Sequence, residues 1–223
     1  MQELLKKLNI EPQNIDLYKQ AFIHTSYAYE NNLDYSYETL EFLGDACLEL
    51  IISEYLYKEN KFQEGEMTKL RASYVCENAC YEYATDLGFS DLVMLGKGEI
   101  NTGGNQKKAI LADIFEAFIA AIYLDLGFDK AKKVALNIIV PYIKNKDILF
   151  FSDYKSELQE AVQDVQKELT YELINESGPS HDKHFEMAVK IDNIVYGTGE
   201  GHTKKEAEQE AAKSALKKLV KDE

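Results

Sequence analysis

Apolar residues in the first two thirds of the chain recur at steps of three and four, which is the spacing of one helix face. The pattern occurs in five segments: residues 4–8, 17–28, 37–56, 67–80 and 109–127. Polar runs, such as residues 58–66, separate some of these segments. The pattern predicts that residues 1 to about 143 are almost entirely helical, with residues 95–108 as a mobile, weakly cationic surface loop.

Within the third segment, the sequence YETLEFLGDACLEL (residues 37–50) separates carboxylates and apolar residues onto different helix faces. Glu38, Glu41 and Asp45 are three and four residues apart, so they form one acidic stripe. The residues expected to be buried on another face are Leu40, Leu43, Cys47 and Leu50. Ser36 precedes the segment and is suited to cap the helix. A stripe of this kind is ordinarily the solvated face of an amphipathic helix.

The fifth segment, residues 109–127, is apolar nearly all round, which predicts a helix in the core. It is not a membrane span, because Asp113, Glu116 and Asp125 interrupt it. Asp113 and Glu116 are three residues apart and therefore share a face. Ionised carboxylates on a buried helix are costly unless cations or donors compensate them, and few Lys or Arg residues are nearby. A bound metal ion is the simplest compensation.

Together the two helices supply four carboxylates for one site: Glu41, Asp45, Asp113 and Glu116. A site with only oxygen ligands suits Mg²⁺ or Mn²⁺ rather than zinc. Such a site can also bind phosphate and support the attack of water at phosphorus. The spacing indicates metal-dependent phosphoryl chemistry, and it leaves open a purely structural acidic cluster.

The pattern changes after residues 144–152, a short connection whose apolar end is expected to pack against the protein. A helix over residues 153–167 precedes three strands, and an Ala-rich helix over residues 204–220 follows them. The predicted strands are residues 169–176, 185–191 and 194–199. This order predicts a small α+β domain with an antiparallel sheet and both helices on one face. The run Gly197–Gly201 lacks a βαβ context and is interpreted as a turn.

The net charge of −14 at pH 7 argues against a nucleic-acid partner unless positive charge is local. Residues 153–223 contain 10 Lys and Arg against 16 Asp and Glu, and the preceding part is acidic as well. Any site for a polyanion must therefore be a small patch.

The first ten residues, MQELLKKLNI, are amphipathic and lack the apolar core of a signal peptide. Cys47, Cys76 and Cys80 are an odd set without credible zinc partners, which is typical of reduced structural thiols. These features predict a cytoplasmic protein with no membrane partner.

Several of these stretches resemble the ribonuclease III family. YETLEFLGDACLEL resembles the family signature ERLEFLGDAVL, and AILADIFEAFIAAIYLD (residues 109–125) resembles its second acidic motif. EGEMTKLRASYV (residues 64–75) and LGKGE (residues 95–99) also fit, in the same order. Thr39 stands where the family usually has Arg, and residues 101–108 replace a more basic loop.

The resemblance implies a Mg²⁺-dependent endoribonuclease, with Mn²⁺ as a substitute, that cuts double-stranded RNA. It implies that Glu41, Asp45, Asp113 and Glu116 bind the metal, with Asp45 and Glu116 catalytic. Glu38 and Glu64 are supporting acids. Phe42 enters a pocket of a second subunit, so the enzyme is a homodimer. Its products carry 5′-phosphate and 3′-hydroxyl ends with two-nucleotide 3′ overhangs, and its work is the processing of rRNA, mRNA and small RNA.

The C-terminal part resembles a double-stranded RNA-binding domain in KSELQEAVQ, GPSHDKHF and GTGEGHTKKEAEQEAAKSAL. The resemblance divides the chain into an all-helical nuclease domain, residues 1–146, and an RNA-binding domain, residues 153–223. It implies seven contacts with RNA: Gln159, Glu160, Gln163, Pro179, His181, Lys204 and Lys205. Such domains recognise the shape of an RNA duplex over about 16 base pairs.

Two alternatives remain beside the endoribonuclease. If the acids are only structural, the chain is a protein that binds duplex RNA without cutting it. A metal-dependent phosphatase acting on a small substrate is the third hypothesis, and the C-terminal domain argues against it.

Overall fold

The computed structural model describes residues 1–145, 150, 154–163, 167–179 and 183–219, and it divides into two compact units, Met1–Phe151 and Ser152–Glu223. The described part of the first unit is helical. Its α-helices are α1 (Gln2–Lys7), α2 (Ile15–Gln20), α3 (Thr25–Glu30), α4 (Glu38–Glu59), α5 (Glu64–Tyr74), α6 (Glu77–Asp86), α7 (Lys97–Asn101), α8 (Lys108–Leu126) and α9 (Phe128–Lys144). Two 3₁₀ turns, Phe89–Asp91 and Gly104–Gln106, lie among them.

Helix α8 is the centre of the first unit, because α2, α4, α6 and α9 all pack against it. Its apolar residues belong to one large core, in which aromatic rings meet edge to face. The Phe118 ring lies 5.3 Å from that of Phe89 and 6.1 Å from that of Phe22. From Ile110 to Ile122, a stretch that is fully described, only Asp113 and Glu116 are not buried. The prediction of a core helix carrying two carboxylates is confirmed.

Helices α4 and α8 touch through their backbones at Gly44. A Cβ atom placed on Gly44 would lie 1.9 Å from the carbonyl oxygen of Glu116 and 2.4 Å from its carbonyl carbon. No real Cβ atom approaches another atom so closely, so the contact requires glycine. This crossing sets the distance between the two helices that carry the four carboxylates.

The buried face of α4 differs from the predicted one at Leu50, which is 58% exposed. The helix crosses α8 at Gly44, and the buried residues Leu48 and Ile51 follow at helical spacing of four and three residues. Leu50 is rotated away from that row. The predicted burial of Leu40 and Cys47 is confirmed, and Leu43 is half-buried. Because a helical repeat is compatible with several neighbouring faces, only the partner helix decides which face is covered.

The prediction of a mobile loop at residues 95–108 is wrong, because backbone contacts hold this segment. The Gly96 N–H donates to Ser26 Oγ at 2.9 Å, and the Lys97 N–H donates to Glu30 Oε1 at 2.8 Å. Within the segment, Lys107 pairs with Glu99 at 2.6 Å. The glycine content of the segment suggested flexibility, and it gave no indication of these long-range hydrogen bonds to α3.

The second unit contains α10 (Tyr154–Gln163), β1 (Leu169–Ser177), β2 (His184–Ile191), β3 (Ile194–Gly201) and α11 (Lys204–Leu219). The strands form an antiparallel sheet in the order β1-β2-β3. Asp192 and Asn193 join β2 to β3 with φ angles of 50° and 67°, as a tight hairpin turn requires. Both helices contribute to one core with the sheet. The predicted α+β domain is confirmed.

The interpretation of Gly197–Gly201 as a turn is wrong, since these residues belong to β3. Gly197 and Gly199 lie beneath α11. A Cβ atom on Gly197 would lie 2.3 Å from the Ala211 carbonyl oxygen, and one on Gly199 would lie 2.2 Å from the Ala211 nitrogen. The glycines therefore let a helix lie directly on a strand, a role that local sequence does not distinguish from a turn.

Phe150 is the one described residue between Asn145 and Tyr154, and it packs on the first unit. Its ring lies 5.6 Å from that of Tyr83 and 5.5 Å from that of Tyr142. The packing expected at the apolar end of the connection is confirmed at this position, while residues 148, 149 and 151 lie outside the described residues. No described helix has the length and apolarity needed to cross a membrane. Cys47, Cys76 and Cys80 are free thiols.

Replacing Gly44 with Ala is expected to destabilise the protein by about 2–3 kcal/mol, because the new methyl group must push two helix backbones apart. Thermal or urea unfolding measures the change. Gly65→Ala on α5 is the matched control, since a Cβ atom there meets nothing within 4 Å. A Gly44→Ala protein as stable as the Gly65→Ala protein would contradict the backbone contact.

Candidate metal centre and RNA-binding residues

The crossing of α4 and α8 brings together the four carboxylates that the sequence assigns to one site. Glu41 and Asp45 flank Gly44 on α4, while Asp113 and Glu116 lie on α8. Each of the four interacts electrostatically with at least one other, across the two helices as well as within them. The stripe on α4 and the pair on α8 are therefore parts of one acidic group.

Glu116 is the most perturbed of these side chains. Its pKa is raised from 4.5 to about 8, first by burial and then by the charges of Asp45, Asp113 and Glu41. A contact with the buried Cys80 thiol acts in the opposite sense and is the weaker influence. A carboxyl group with this pKa holds its proton near neutral pH unless a cation displaces it.

Glu41 is perturbed in the same way. Its pKa is raised from 4.5 to about 7, first by burial and then by the charges of Asp113, Glu38 and Asp45. The acidic stripe of α4 is thus not simply solvated, because its second member is half-buried and faces a carboxylate of α8. The interpretation of the stripe as a solvated helix face therefore does not hold for Glu41.

Asp113 has a hydrogen-bond partner of its own. The Tyr37 hydroxyl donates to Asp113 Oδ2 at 3.1 Å, and Tyr37 is only 5% exposed. Burial raises the pKa of Asp113, the Tyr37 hydrogen bond lowers it, and the charge of Glu77 raises it again. One oxygen of Asp113 is therefore fixed by a buried donor.

No group of three or more His, Cys, Asp or Glu side chains among the described residues forms a ready-made metal cage. The chemistry of the acidic group fits a hard divalent cation all the same. Its donors are all carboxylate oxygens, and the charges acting most strongly on Glu116 are all negative. A bound cation would remove both the repulsion and the unfavourable desolvation.

The structure separates the two supporting acids of the sequence prediction. Glu38 is exposed at the start of α4 and acts electrostatically on Glu41 and Asp113. Glu64 begins α5, where it lines a different cavity of about 270 Å³ with Tyr57 and Arg71. Within one protomer the structure does not bring Glu64 to the four carboxylates.

The predicted RNA contacts of the second unit that the structure describes are all exposed: Gln159, Glu160, Gln163, Pro179, Lys204 and Lys205. His181 lies outside the described residues. Lys204 and Lys205 open α11, and Lys204 Nζ lies 5.8 Å from the centroid of the Phe185 ring. Lys204 and Lys205 therefore place two exposed cations side by side at the start of a helix in an acidic unit.

Side chains cap the start of α11. Thr203 Oγ1 accepts from the Glu206 N–H at 3.2 Å, and Glu206 Oε2 accepts from the N–H groups of His202 and Thr203. This reciprocal arrangement is a capping box. Beside it, the rings of His184 and His202 are stacked with centroids 4.7 Å apart.

Three residues near the carboxylates were not assigned to the site from the sequence: Tyr37, Glu77 and Cys80. Tyr37 directly precedes α4 and is the first residue of the stretch YETLEFLGDACLEL, so its place in the sequence could have indicated that it lies near the site. Glu77 and Cys80 lie on α6, and only the packing of α6 against α8 brings them near. No local pattern marks such residues.

Comparison with known proteins agrees with both units. Residues 14–143 match the family model described as Ribonuclease-III-like, and residues 154–219 match that of the double-stranded RNA binding motif. Ribonuclease 3 of Onion yellows phytoplasma is 47% identical over 222 residues, covering 99% of this chain and 92% of that protein. Ribonuclease 3 of Staphylococcus aureus strain Mu3 is 44% identical over 220 residues, covering 96% and 90%.

A solved structure resembles the first unit. The nuclease domain of ribonuclease III from Campylobacter jejuni is 39% identical and superposes with a TM-score of 0.59. The match covers 66% of this chain and 98% of that domain, and the work on that domain concerns flexibility in a region involved in dimer formation. Matching sequence, domain order and fold lead to one conclusion: the chain belongs to the ribonuclease III family and is an endoribonuclease specific for double-stranded RNA.

Proposed function

We propose that the chain hydrolyses phosphodiester bonds of duplex RNA with Mg²⁺ held by Glu41, Asp45, Asp113 and Glu116. Mn²⁺, which accepts the same oxygen ligands, is the expected substitute. The observation that carries this proposal is the crossing at Gly44, which supports four carboxylates in mutual repulsion at one place. Burial and three neighbouring carboxylates disfavour the ionised form of Glu116, and a purely structural role would not require a carboxylate at this position.

In the reaction, water attacks phosphorus in line with the 3′ oxygen. A P–O bond to water forms, the bond to the 3′ oxygen breaks, and a proton reaches the leaving oxygen. The products are a 5′-phosphate and a 3′-hydroxyl. Bound Mg²⁺ supplies charge stabilisation at the phosphate and lowers the pKa of water. The protein's part is to hold the four carboxylates in place, with Asp45 and Glu116 assigned the catalytic role.

The second unit is assigned the duplex-binding role. Gln159 and Gln163 are exposed and one helical turn apart on α10, so they can reach one minor groove together with Glu160. Lys204 and Lys205 are assigned to phosphates of the major groove between two minor grooves. Pro179 and His181 are assigned to the second minor groove. The acidic net charge is not an obstacle, because phosphate contact requires only this local pair.

We infer a homodimer from an exposed apolar row on α4. Phe42, Leu50 and Tyr57 are 83%, 58% and 74% exposed, and their spacing of eight and seven residues keeps them on one face. The cavity of about 270 Å³ beside Tyr57 and Met67 is large enough for a phenyl ring. We assign it as the socket for Phe42 of the second subunit, with Glu64 supporting the site from its rim.

A dimer of this kind carries two sites, one for each strand, and the proposed products have two-nucleotide 3′ overhangs. The proposed substrates are the structured precursors of rRNA, mRNA and small RNA, processed in the cytoplasm. The duplex-binding unit supports this assignment because it selects shape rather than sequence.

Replacing Glu116 with Gln is expected to lower the cleavage rate of a long RNA duplex at least about 100-fold, since a principal metal ligand is lost. Addition of EDTA to the unaltered protein has the same effect. Duplex binding in the absence of metal stays unchanged. Gel analysis of the products and a filter-binding assay make the two measurements.

Glu49→Gln is the matched control, because Glu49 is an exposed carboxylate elsewhere on α4. Cleavage by this variant should equal that of the unaltered protein. Duplex binding without any cleavage by the unaltered protein at millimolar Mg²⁺ would refute the enzyme and support the binding protein.

Metal affinity should fall steeply as the pH is lowered from 8.5 to 6. The pKa values of Glu41 and Glu116, about 7 and about 8, lie above their ordinary 4.5, so both groups are largely protonated at pH 6. Metal must displace those protons, at a cost of about tenfold in affinity per pH unit for each proton. Calorimetric titration with Mn²⁺ at several pH values tests this, and an affinity that is constant from pH 6 to 8.5 would contradict it.

Changing Lys204 and Lys205 together to Ala should weaken duplex binding and reduce the slope of log affinity against log salt by about 2. Lys217→Ala with Lys218→Ala is the control, since it removes the same charge from the exposed far end of α11. The first pair should lose affinity at low salt and the second should not. Equal losses for the two pairs would mean that only net charge matters.

A further inference from the structure

Tyr37 joins the two helices of the metal centre through two different parts of one residue. Its carbonyl oxygen accepts from the N–H groups of Leu40 and Glu41 at 2.8 and 2.9 Å, so its backbone forms the first turn of α4. Its hydroxyl donates to Asp113 Oδ2 of α8 at 3.1 Å. The residue therefore connects a ligand on one helix to a ligand on the other.

The surroundings of Tyr37 leave its side chain little freedom. The residue is 5% exposed, and its N–H donates to the Ile23 carbonyl oxygen at 2.8 Å. The His24 ring lies 5.7 Å from its ring, centroid to centroid. The ordinary pKa of tyrosine, about 10, keeps the hydroxyl protonated near neutral pH, so it is a donor.

From this geometry we propose that Tyr37 is a positioning residue of the metal centre: its hydroxyl holds Asp113 Oδ2 and so fixes the orientation of a carboxylate that would bind the metal. The proposal rests on the proposed function of the four carboxylates. Tyr37 would act through Asp113 rather than as a metal ligand itself. Donors that orient a ligand in this way commonly contribute 10- to 100-fold in metal affinity or activity.

The variant Tyr37→Phe keeps the ring and the backbone contacts and removes only the donor. Calorimetric titration of the full chain with Mn²⁺ alone should show an affinity reduced about 10- to 100-fold. In cleavage assays, the Mg²⁺ concentration for half-maximal rate should rise correspondingly. The rate at saturating Mg²⁺ should largely recover, and the KM for duplex RNA should not change.

Tyr83→Phe is the matched control. Tyr83 is fully buried, and its hydroxyl donates to the Tyr74 carbonyl oxygen at 3.1 Å rather than to a carboxylate. This variant loses a buried hydroxyl bond of the same length but should keep the Mn²⁺ affinity of the unaltered protein. A structural effect alone would alter the thermal stability of both variants and the metal affinity of neither.

The outcomes separate this proposal from the function it depends on. An unaltered protein that binds no Mn²⁺ and cuts no duplex overturns the metal centre and the role of Tyr37 together. An unaltered protein that binds Mn²⁺, beside a Tyr37→Phe variant that binds it equally or more tightly, overturns only the positioning role. A loss in Tyr37→Phe that is matched in Tyr83→Phe also overturns it.

Discussion

The contact between Gly44 and the backbone of Glu116 is the constraint on which the nuclease unit depends. Two helices cross with no side chain between them, so the carboxylates flanking the crossing cannot avoid one another. The surrounding core of α8 is apolar and rigid, and it prevents the helices from separating to relieve the repulsion. The pKa values of Glu41 and Glu116 are elevated because this helix packing buries them and places other carboxylates beside them.

Local pattern and chemistry were sufficient to predict the parts of the site that lie within single helices. The spacing of Glu38, Glu41 and Asp45 follows from the helical repeat, and the placement of Asp113 and Glu116 in an apolar helix is visible in the sequence. Their union into one acidic group was inferred from charge compensation, and the packing of α4 on α8 agrees with it.

The features that the local sequence pattern predicted wrongly are those that depend on contacts between residues distant in sequence. Leu50 has the spacing of a buried residue, yet the partner helix covers the neighbouring row. Residues 95–108 contain four glycines, yet Ser26 and Glu30 hold their backbone. Gly197–Gly201 has the composition of a turn and is a strand, because α11 lies on it. In each case a residue far away in sequence decides the outcome.

The glycines at helix contacts also limit how the protein can change. At Gly44 and at Gly197 the closest atoms opposite an added Cβ are backbone atoms, of Glu116 and of Ala211. A side-chain clash can be relieved by a second substitution that makes the neighbour smaller, but a clash with a backbone cannot. Compensating mutations at these two contacts are therefore unavailable, in the nuclease unit and in the RNA-binding unit alike. Glycine is therefore required at both positions for the helices to keep these backbone contacts.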